Sequence, residues 1–187
     1  QGNLRYIGPT DSGSKPFGLQ GTLSRIDVTS ASTELTLSGL ISGSGQLQKV
    51  GAGTLILAGN NTFTNKFTIQ GGTVIADGTD VQGVSGALGL NTWINFSGVV
   101  TEALIIRQNT TVGSISGGNV NAPGLVIAND STLTIGTDHT SPGAFTWPVR
   151  GTNGSIVKVA RGNSFSAIRT RSTTRGPRSS ATARCAS

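Results

Sequence analysis

The Asp138-His139 dipeptide is the first candidate for catalysis. His139 is the single histidine of the chain, so a Ser-His-Asp triad would have to include it. No Gly-x-Ser-x-Gly segment accompanies the pair. Adjacent side chains on a strand point to opposite faces, which places Asp138 and His139 badly for pairing. We therefore expect His139 to lie in a solvent-exposed turn and neither residue to act in catalysis.

The carboxylates are the second candidate. A glycoside hydrolase needs two of them about 5–10 Å apart. The chain has eight acidic residues, scattered singly apart from Asp77 and Asp80. These two flank Gly78 and would hold a calcium ion weakly at most, so a polar corner is the preferred interpretation. One histidine and one cysteine cannot form a closed zinc site. The sequence predicts no catalytic residue, no metal site and no cofactor.

Aromatic residues beside amides suggest a third kind of site. The segment Asn60-Asn61-Thr62-Phe63, together with Trp93 and Trp147, would form an exposed strip for sugars or another surface. Single exposed aromatic side chains are also ordinary on a protein surface. The strip is therefore kept as a hypothesis beside the simpler interpretation that these residues have no binding role.

The segment that must position these residues runs from Gly45 to Gly78. Apolar residues alternate through it in short bursts, and glycine or asparagine fills every gap. Alternation at a period of two with frequent breaks predicts short strands joined by tight corners. The apolar residues of this kind are Leu47, Leu55, Leu57, Phe67, Ile69 and Val74. No window of the segment shows helical spacing, so it predicts stacked strand-and-corner units.

The same segment resembles the autotransporter-associated β-strand repeat. The resemblance rests on the pattern Gly-x-Leu-x-Lys-x-Gly-x-Gly-Thr-Leu-x-Leu-x-Gly over residues 45–59, followed by Asn61-Thr62-Phe63-Thr64 and Gly72-Thr73-Val74. Two positions depart from the repeat: Phe63 replaces the usual tyrosine, and Asn65-Lys66 replaces an expected glycine. Asn65 can take a left-handed backbone conformation, so we expect the corner to be kept.

The resemblance implies a fold and a setting. The fold is an all-β, right-handed parallel β-helix, and the setting is a large bacterial surface or secreted protein. The implied function is a structural and adhesive stalk at the cell surface or outside the cell. Two alternatives stay open: a fragment of a carbohydrate-active β-helix enzyme of lyase or glycoside hydrolase type, and a self-assembling surface fibre. Expected partners are host or cell-surface glycans or proteins, and other copies that join through open coil ends.

The chain divides by composition into three parts. Residues 1–20 are rich in glycine and polar residues and predict an irregular lead. Residues 21–160 predict the β-helical repeat domain, with a core that includes Leu47, Leu55, Leu57, Ile69, Val74, Ile105, Val126 and Ile135. A weaker second copy of the repeat pairs Gly45, Leu47 and Lys49 with Gly154, Ile156 and Lys158. No apolar run approaches the length of a membrane helix.

The last part, residues 161–187, carries all of the excess charge. It holds six arginines and no acidic residue, although nothing else in it suggests specific nucleic-acid binding. A reading-frame shift and a genuine basic tail are both compatible with this composition. With so few large apolar residues the segment cannot offset its ordering entropy, so we expect it to be disordered and to leave an open strand edge near Val159.

Overall fold

The chain folds as a parallel β-solenoid in a computed structural model. The structure describes residues 2–81, 83–97, 103–128, 130–140, 145–146, 148–151 and 153–159, and the backbone of 165–169. Strands are the only regular elements in these ranges, and none of the described residues forms a helix suited to crossing a membrane. The predicted all-β parallel β-helix is therefore confirmed.

Each coil of the solenoid contributes two or three short strands. In chain order they are β1 (Gly2–Tyr6), β2 (Asp11–Gly13), β3 (Phe17–Gly18), β4 (Leu23–Val28), β5 (Glu34–Leu37), β6 (Ile41–Ser42), β7 (Gln46–Val50), β8 (Thr54–Leu57), β9 (Lys66–Ile69), β10 (Thr73–Ala76), β11 (Trp93–Phe96), β12 (Ala103–Ile106), β13 (Thr110–Val112), β14 (Ser114–Gly117), β15 (Gly124–Ile127), β16 (Thr132–Ile135), β17 (Val149–Gly151), β18 (Ser155–Val159) and β19 (Phe165–Arg169).

The strands stack into sheets that run along the solenoid. The first sheet has the order β1-β4-β7-β9-β11-β14, and the second has the order β17-β15-β12-β10-β8-β5-β2. Shorter sheets, β3-β6 and β13-β16-β18-β19, lie on the third side. Every neighbouring pair is parallel except β18 with β19. A sheet of this kind needs a full turn of chain between neighbours, which explains the absence of two-residue hairpins between them.

Coil length varies at the corners and not in the strands. Leu55 pairs with Val74, 19 residues later, and Val74 pairs with Leu104, 30 residues later. The additional residues lie in the segment between β10 and β12, which includes an extra loop near residue 81 closed by a bridge from Val81 to Ser85. Loop length therefore changes without disturbing the register of the sheets.

The core is a set of apolar rows inside the solenoid. One row in the first sheet joins Leu47, Phe67 and Ile94, all 1% exposed or less. Phe63 and Phe67 pack edge to face, with ring centroids 6.0 Å apart. Stacking in register lets each side chain cover the one in the next coil, so the alternation of the sequence becomes a continuous core.

Six of the eight predicted core residues lie in that core. Leu47, Leu55, Leu57, Ile69 and Val74 are buried, and Ile135 is partly buried against the same cluster. The predictions for Ile105 and Val126 are wrong. Both are only half-buried and point outward, while Leu104, Ile106, Leu125 and Ile127 are fully buried beside them. Their segments are uniformly apolar, so a period of two gives no indication of which face is inside.

Both ends of the chain differ from expectation. Within residues 1–20, expected to be irregular, β1, β2 and β3 form a first coil parallel to the second. At the other end, β19 pairs antiparallel with β18, so the edge expected to be open near Val159 is covered there. Backbone hydrogen bonds between strands do not require apolar side chains. The low apolar content of these segments therefore gave no indication that they form strands. Residues 160–164 and 170–187 lie outside the described residues, and their expected disorder stays a prediction.

Two finer predictions have opposite outcomes. Asn65 has a φ of 80°, so it takes the left-handed conformation expected where the repeat usually has glycine. The second copy of the repeat, by contrast, is not structurally equivalent to the first. Lys49 is fully buried in the first sheet, whereas Lys158 is exposed in β18 on the third side of the solenoid.

Candidate functional site

The structure separates His139 from the nearby acid. His139 is exposed and has a φ of 57°, in a turn closed by its amide, which donates to the Gly136 carbonyl at 3.1 Å. Asp138 instead accepts from Ser114 Oγ at 2.6 Å and from the Thr140 amide at 2.9 Å. Ser114 is 2% exposed, so its hydroxyl is a buried donor that needs this acceptor. The Asp138 carboxylate therefore links the turn at His139 to Ser114 in β14.

This geometry predicts unequal effects of two neighbouring substitutions. We expect Asp138→Ala to lower the free energy of unfolding by about 1.5 kcal/mol, because Ser114 loses a charged acceptor. His139→Ala changes an exposed side chain and should change the free energy of unfolding by no more than about 0.5 kcal/mol. Urea unfolding of both variants checks this. Equal effects would show that the carboxylate does not hold the corner.

Asp77 and Asp80 have separate partners. Asp77 Oδ2 lies 3.7 Å from Arg107 Nη1, in a partly exposed ion pair. Asp80 Oδ2 accepts from Thr111 Oγ1 at 2.5 Å, and burial raises the pKa of Asp80. Within the described part of the chain, no group of three or more His, Cys, Asp or Glu side chains is arranged to hold a metal ion. The two acids therefore link coils at the corners of the second sheet.

The predicted polar-aromatic strip does not form as proposed. Asn61 and Phe63 are both fully buried, so they cannot contact a ligand at the surface. Trp93 is half-buried, and its ring lies 4.4 Å below Lys66 Nζ in a cation–π contact. Trp147 lies outside the described residues. Asn60 is exposed and Thr62 half-buried, whereas Phe63 points inward and packs against Phe67 in the core.

Asn61 holds three successive coils together. Its Oδ1 accepts from the Ile41 amide at 2.8 Å, and its Nδ2 donates to the Ala87 carbonyl at 2.8 Å. Its main chain also exchanges two hydrogen bonds of 3.0 Å with Gly86. Both side-chain bonds reach backbone groups that the coil stacking alone leaves available at a bend. An asparagine at this point of the repeat is a structural element and not part of a binding surface.

Lys49 is the least expected residue of the interior. It lies between Ile26 and Ile69 in an inward row of the first sheet and is 0% exposed. Its ammonium donates to three carbonyl oxygens, of Val50 at 2.9 Å, Gly51 at 3.0 Å and Gly71 at 3.1 Å. Burial lowers its pKa to about 8, while the charge of Asp27 opposes the shift. All three ammonium protons are therefore used to hold the corners of two coils.

The outward face of the first sheet carries a hydrogen-bonded polar row, which we call the outer row; Arg25 and Gln70 in it are exposed, and Ser116 is buried. Arg25 Nε donates to Gln48 Oε1 at 2.7 Å, and Gln48 Nε2 donates to Gln70 Oε1 at 2.5 Å. Further along, Trp93 Nε1 donates to Ser116 Oγ at 2.7 Å, and Ser116 Oγ donates to Asn95 Oδ1 at 3.2 Å. The outer row comprises Arg25, Gln48, Gln70, Asn95 and Ser116.

The outer row follows directly from the register. Arg25, Gln48, Asn95 and Ser116 occupy the same outward position in β4, β7, β11 and β14. Strand neighbours lie about 4.8 Å apart, so polar side chains recur at that spacing along this face of the sheet. The sequence does contain a signal for this row, because a polar residue directly follows each of the inward residues Leu47, Phe67 and Ile94. Aligning these polar residues from coil to coil requires the number of residues per coil, which varies between coils.

Comparison with known proteins identifies the repeat. Residues 47–76 match the passenger-associated transport repeat, which here spans β7 to β10. This match confirms the resemblance predicted from residues 45–74. The matched segment includes both Lys49 and Asn61, so the two buried polar residues belong to the repeat itself. No solved structure matches the chain.

One curated relative extends the match beyond the repeat. Over 163 residues, or 86% of the chain, the sequence is 36% identical to the adhesin BmaC autotransporter of Brucella suis biovar 1 (strain 1330). The chain spans only 4% of that relative's length. The transport repeat and this similarity together support the resemblance of the chain to autotransporter passenger repeat proteins.

Proposed function

We propose that this chain, which resembles autotransporter passenger repeat proteins, is a structural and adhesive segment, a β-helical stalk at the bacterial cell surface or outside the cell. The observation that carries the proposal is the transport repeat, whose polar residues hold the corners of a parallel solenoid. A rigid stack of coils spaces or presents a surface without needing a catalytic site. The similarity to an adhesin supports attachment as the role of that surface.

Two partner classes suit such a segment. The first is a host or cell-surface glycan or protein, for which the outer row offers amides and the cation of Arg25, and Lys66 adds a second cation on the same face of the sheet. The second is another copy of the chain, joined at a coil end. We propose no enzymatic activity, no cofactor and no specific nucleic acid. The domain limits are part of the proposal: a repeat domain at 21–160, extended by the first coil, and a basic tail at 161–187.

Surface display tests the proposal. The chain is fused to an autotransporter translocator in a non-adherent bacterium, and attachment of the cells to cultured host cells and immobilised matrix proteins and glycans is counted. We expect the chain to reach the surface and to raise attachment several-fold. Bacteria that display the folded chain and attach no better than the translocator-only control would contradict the adhesive role.

A matched variant locates the binding face. Arg25→Ser with Gln48→Ser shortens the outer row, whereas Thr36→Ser, an outward residue of β5 in the second sheet, leaves it intact. We expect only the first variant to reduce attachment. Incubation of the purified chain with polysaccharides tests the enzyme alternative, because the release of new reducing ends or unsaturated products would favour it over a stalk.

A further inference from the structure

Three exposed asparagines lie along one edge of the solenoid, where the chain passes from the second sheet to the third side. Asn60 follows β8, Asn109 follows β12 and Asn153 follows β17, each two or three residues after the strand ends. These strands stack in the order β8-β10-β12-β15-β17, in continuous register. Successive asparagines are therefore two coils apart, a spacing of about 10 Å. We call this line of three residues the asparagine edge.

Each residue of the asparagine edge begins an acceptor sequence for N-linked sugars. That sequence is Asn-x-Ser/Thr with any residue except proline in the middle. The hydroxyl residues that complete it here are Thr62, Thr111 and Ser155. The same sequence begins at Asn95 and at Asn129. Asn129 lies outside the described residues, so the comparison that follows is with Asn95.

The side-chain amides of the edge are accessible. Asn60 makes no side-chain hydrogen bond within the described part of the chain. Asn109 Oδ1 accepts from the Thr132 amide at 2.9 Å, and because an N–H must face an oxygen, this bond leaves the Asn109 Nδ2 as the outer end of the group. Neither residue has a positive φ, so the backbone does not require asparagine at these two corners.

Asn95 has the same acceptor sequence in a different environment. It is half-buried inside β11, which pairs with β9 on one side and with β14 on the other. Its Oδ1 accepts from Ser116 Oγ at 3.2 Å. A transferase draws the acceptor segment into its own active site, and a strand paired on both sides cannot leave the sheet without losing its ladder of hydrogen bonds. The fold therefore separates three available acceptor sequences from one that is held in a sheet.

We propose that Asn60, Asn109 and Asn153 are sites of N-linked glycosylation by a separate transferase that uses a nucleotide-activated sugar. The asparagine Nδ2 forms a bond to the anomeric carbon, the bond from that carbon to the diphosphate breaks, and one amide proton passes to a base of the transferase. The nucleoside diphosphate leaves. The asparagine edge lies between the second and third sides and thus opposite the first sheet, so its sugars project away from the outer row. The inference goes beyond the proposed function and does not depend on it.

Peptide mass spectrometry on the chain recovered from the bacterium that produces it gives the first test. We expect a sugar on the peptides that contain Asn60, Asn109 and Asn153, and none on the peptide that contains Asn95. Unmodified asparagine at all three edge positions would overturn the proposal. Equal modification of Asn95 would overturn the selection by the fold on which the proposal rests.

A matched pair of variants gives the second test, on the purified folded chain with UDP-glucose and a soluble bacterial N-glycosyltransferase. Ser155→Ala removes one acceptor hydroxyl and leaves Asn153 in place, whereas Thr64→Ala changes a residue outside every acceptor sequence. We expect the parent and Thr64→Ala to gain sugars at all three edge positions, and Ser155→Ala to lose only the one at Asn153. Circular dichroism checks that the variants are folded. A parent that stays unmodified, or a Ser155→Ala chain that gains as many sugars as the parent, would overturn the proposal.

Discussion

Replacing Lys49 with methionine is expected to lower the free energy of unfolding by about 3 kcal/mol at pH 7. The substitution keeps an unbranched side chain, one heavy atom shorter, and removes every donor to the carbonyls of Val50, Gly51 and Gly71. Hydrogen bonds to a charged group contribute about 1.5–3 kcal/mol each, and the cost of burying the ammonium offsets part of that sum. Urea unfolding followed by far-ultraviolet circular dichroism measures the change.

Lys66→Met is the matched control. Lys66 is half-buried one coil further on, and its described contact is the exposed face of Trp93, so the loss should stay near 1 kcal/mol or below. If Lys49→Met were as stable as the parent, the charge burial would outweigh the hydrogen bonds. In that case the hydrogen bonds of Lys49 to the corner carbonyls would not stabilise the fold.

The stability should also depend on pH through the same residue. Burial lowers the pKa of Lys49 from its ordinary value of 10.5 to about 8 in the folded chain. Between those values the unfolded chain binds the proton more strongly, so this contribution to stability rises as the pH increases from about 8 to about 10.5. The parent should therefore gain stability relative to Lys49→Met over that range. A constant difference between the two proteins would show that Lys49 titrates normally.

Gly72→Ala is expected to be as damaging as any substitution at the repeat corners, with a loss of about 3 kcal/mol or more. Gly72 has a φ of 65°, and a β carbon there would lie 2.3 Å from the Gly53 carbonyl oxygen of the preceding coil. The left-handed backbone alone costs a non-glycine residue about 1–2 kcal/mol. The remainder comes from pushing two stacked coils apart.

Gly83→Ala separates these two causes. Gly83 has a φ of 74°, but a β carbon there meets nothing within 4 Å. It should show only the backbone cost, about 1–2 kcal/mol, in the same urea titration. Equal losses at Gly72 and Gly83 would mean that the coils are not packed corner to corner as the structure has them.

The sequence predicted the fold where its pattern was periodic. From Leu47 to Val74, apolar residues alternate with polar ones and the corners carry glycine or asparagine, so strands, corners and core faces could all be assigned. The resemblance to the transport repeat came from the same residues. Around Ile105 and Val126 the residues are uniformly apolar, so alternation did not show which side chains point inward. These two outward residues were therefore wrongly predicted to lie in the core.

The candidate sites were harder to predict from sequence because they use polar residue types in buried positions. Lysine and asparagine are mostly exposed, yet Lys49 and Asn61 are fully buried. Their burial depends on carbonyl and amide groups supplied by coils about 20 residues away in sequence, such as those of Gly71, Ile41 and Ala87. The partners of the Asn61 side chain, Ile41 and Ala87, lie outside the matched repeat of residues 47–76, whereas Gly71 lies inside it. The outer row likewise appears only after the strands are stacked.

The measurement that tests the solenoid most directly is disulfide formation between register neighbours. Gln48 and Thr68 occupy adjacent outward positions in β7 and β9, 20 residues apart. In a background with Cys185→Ser, the pair Gln48→Cys and Thr68→Cys should oxidise readily within one chain, because neighbouring strands lie about 4.8 Å apart. The pair Gln48→Cys and Asn95→Cys lies two coils apart, about twice that distance, and should stay reduced. Bridging of the second pair, or none of the first, would contradict the stacked coils on which the proposed function depends.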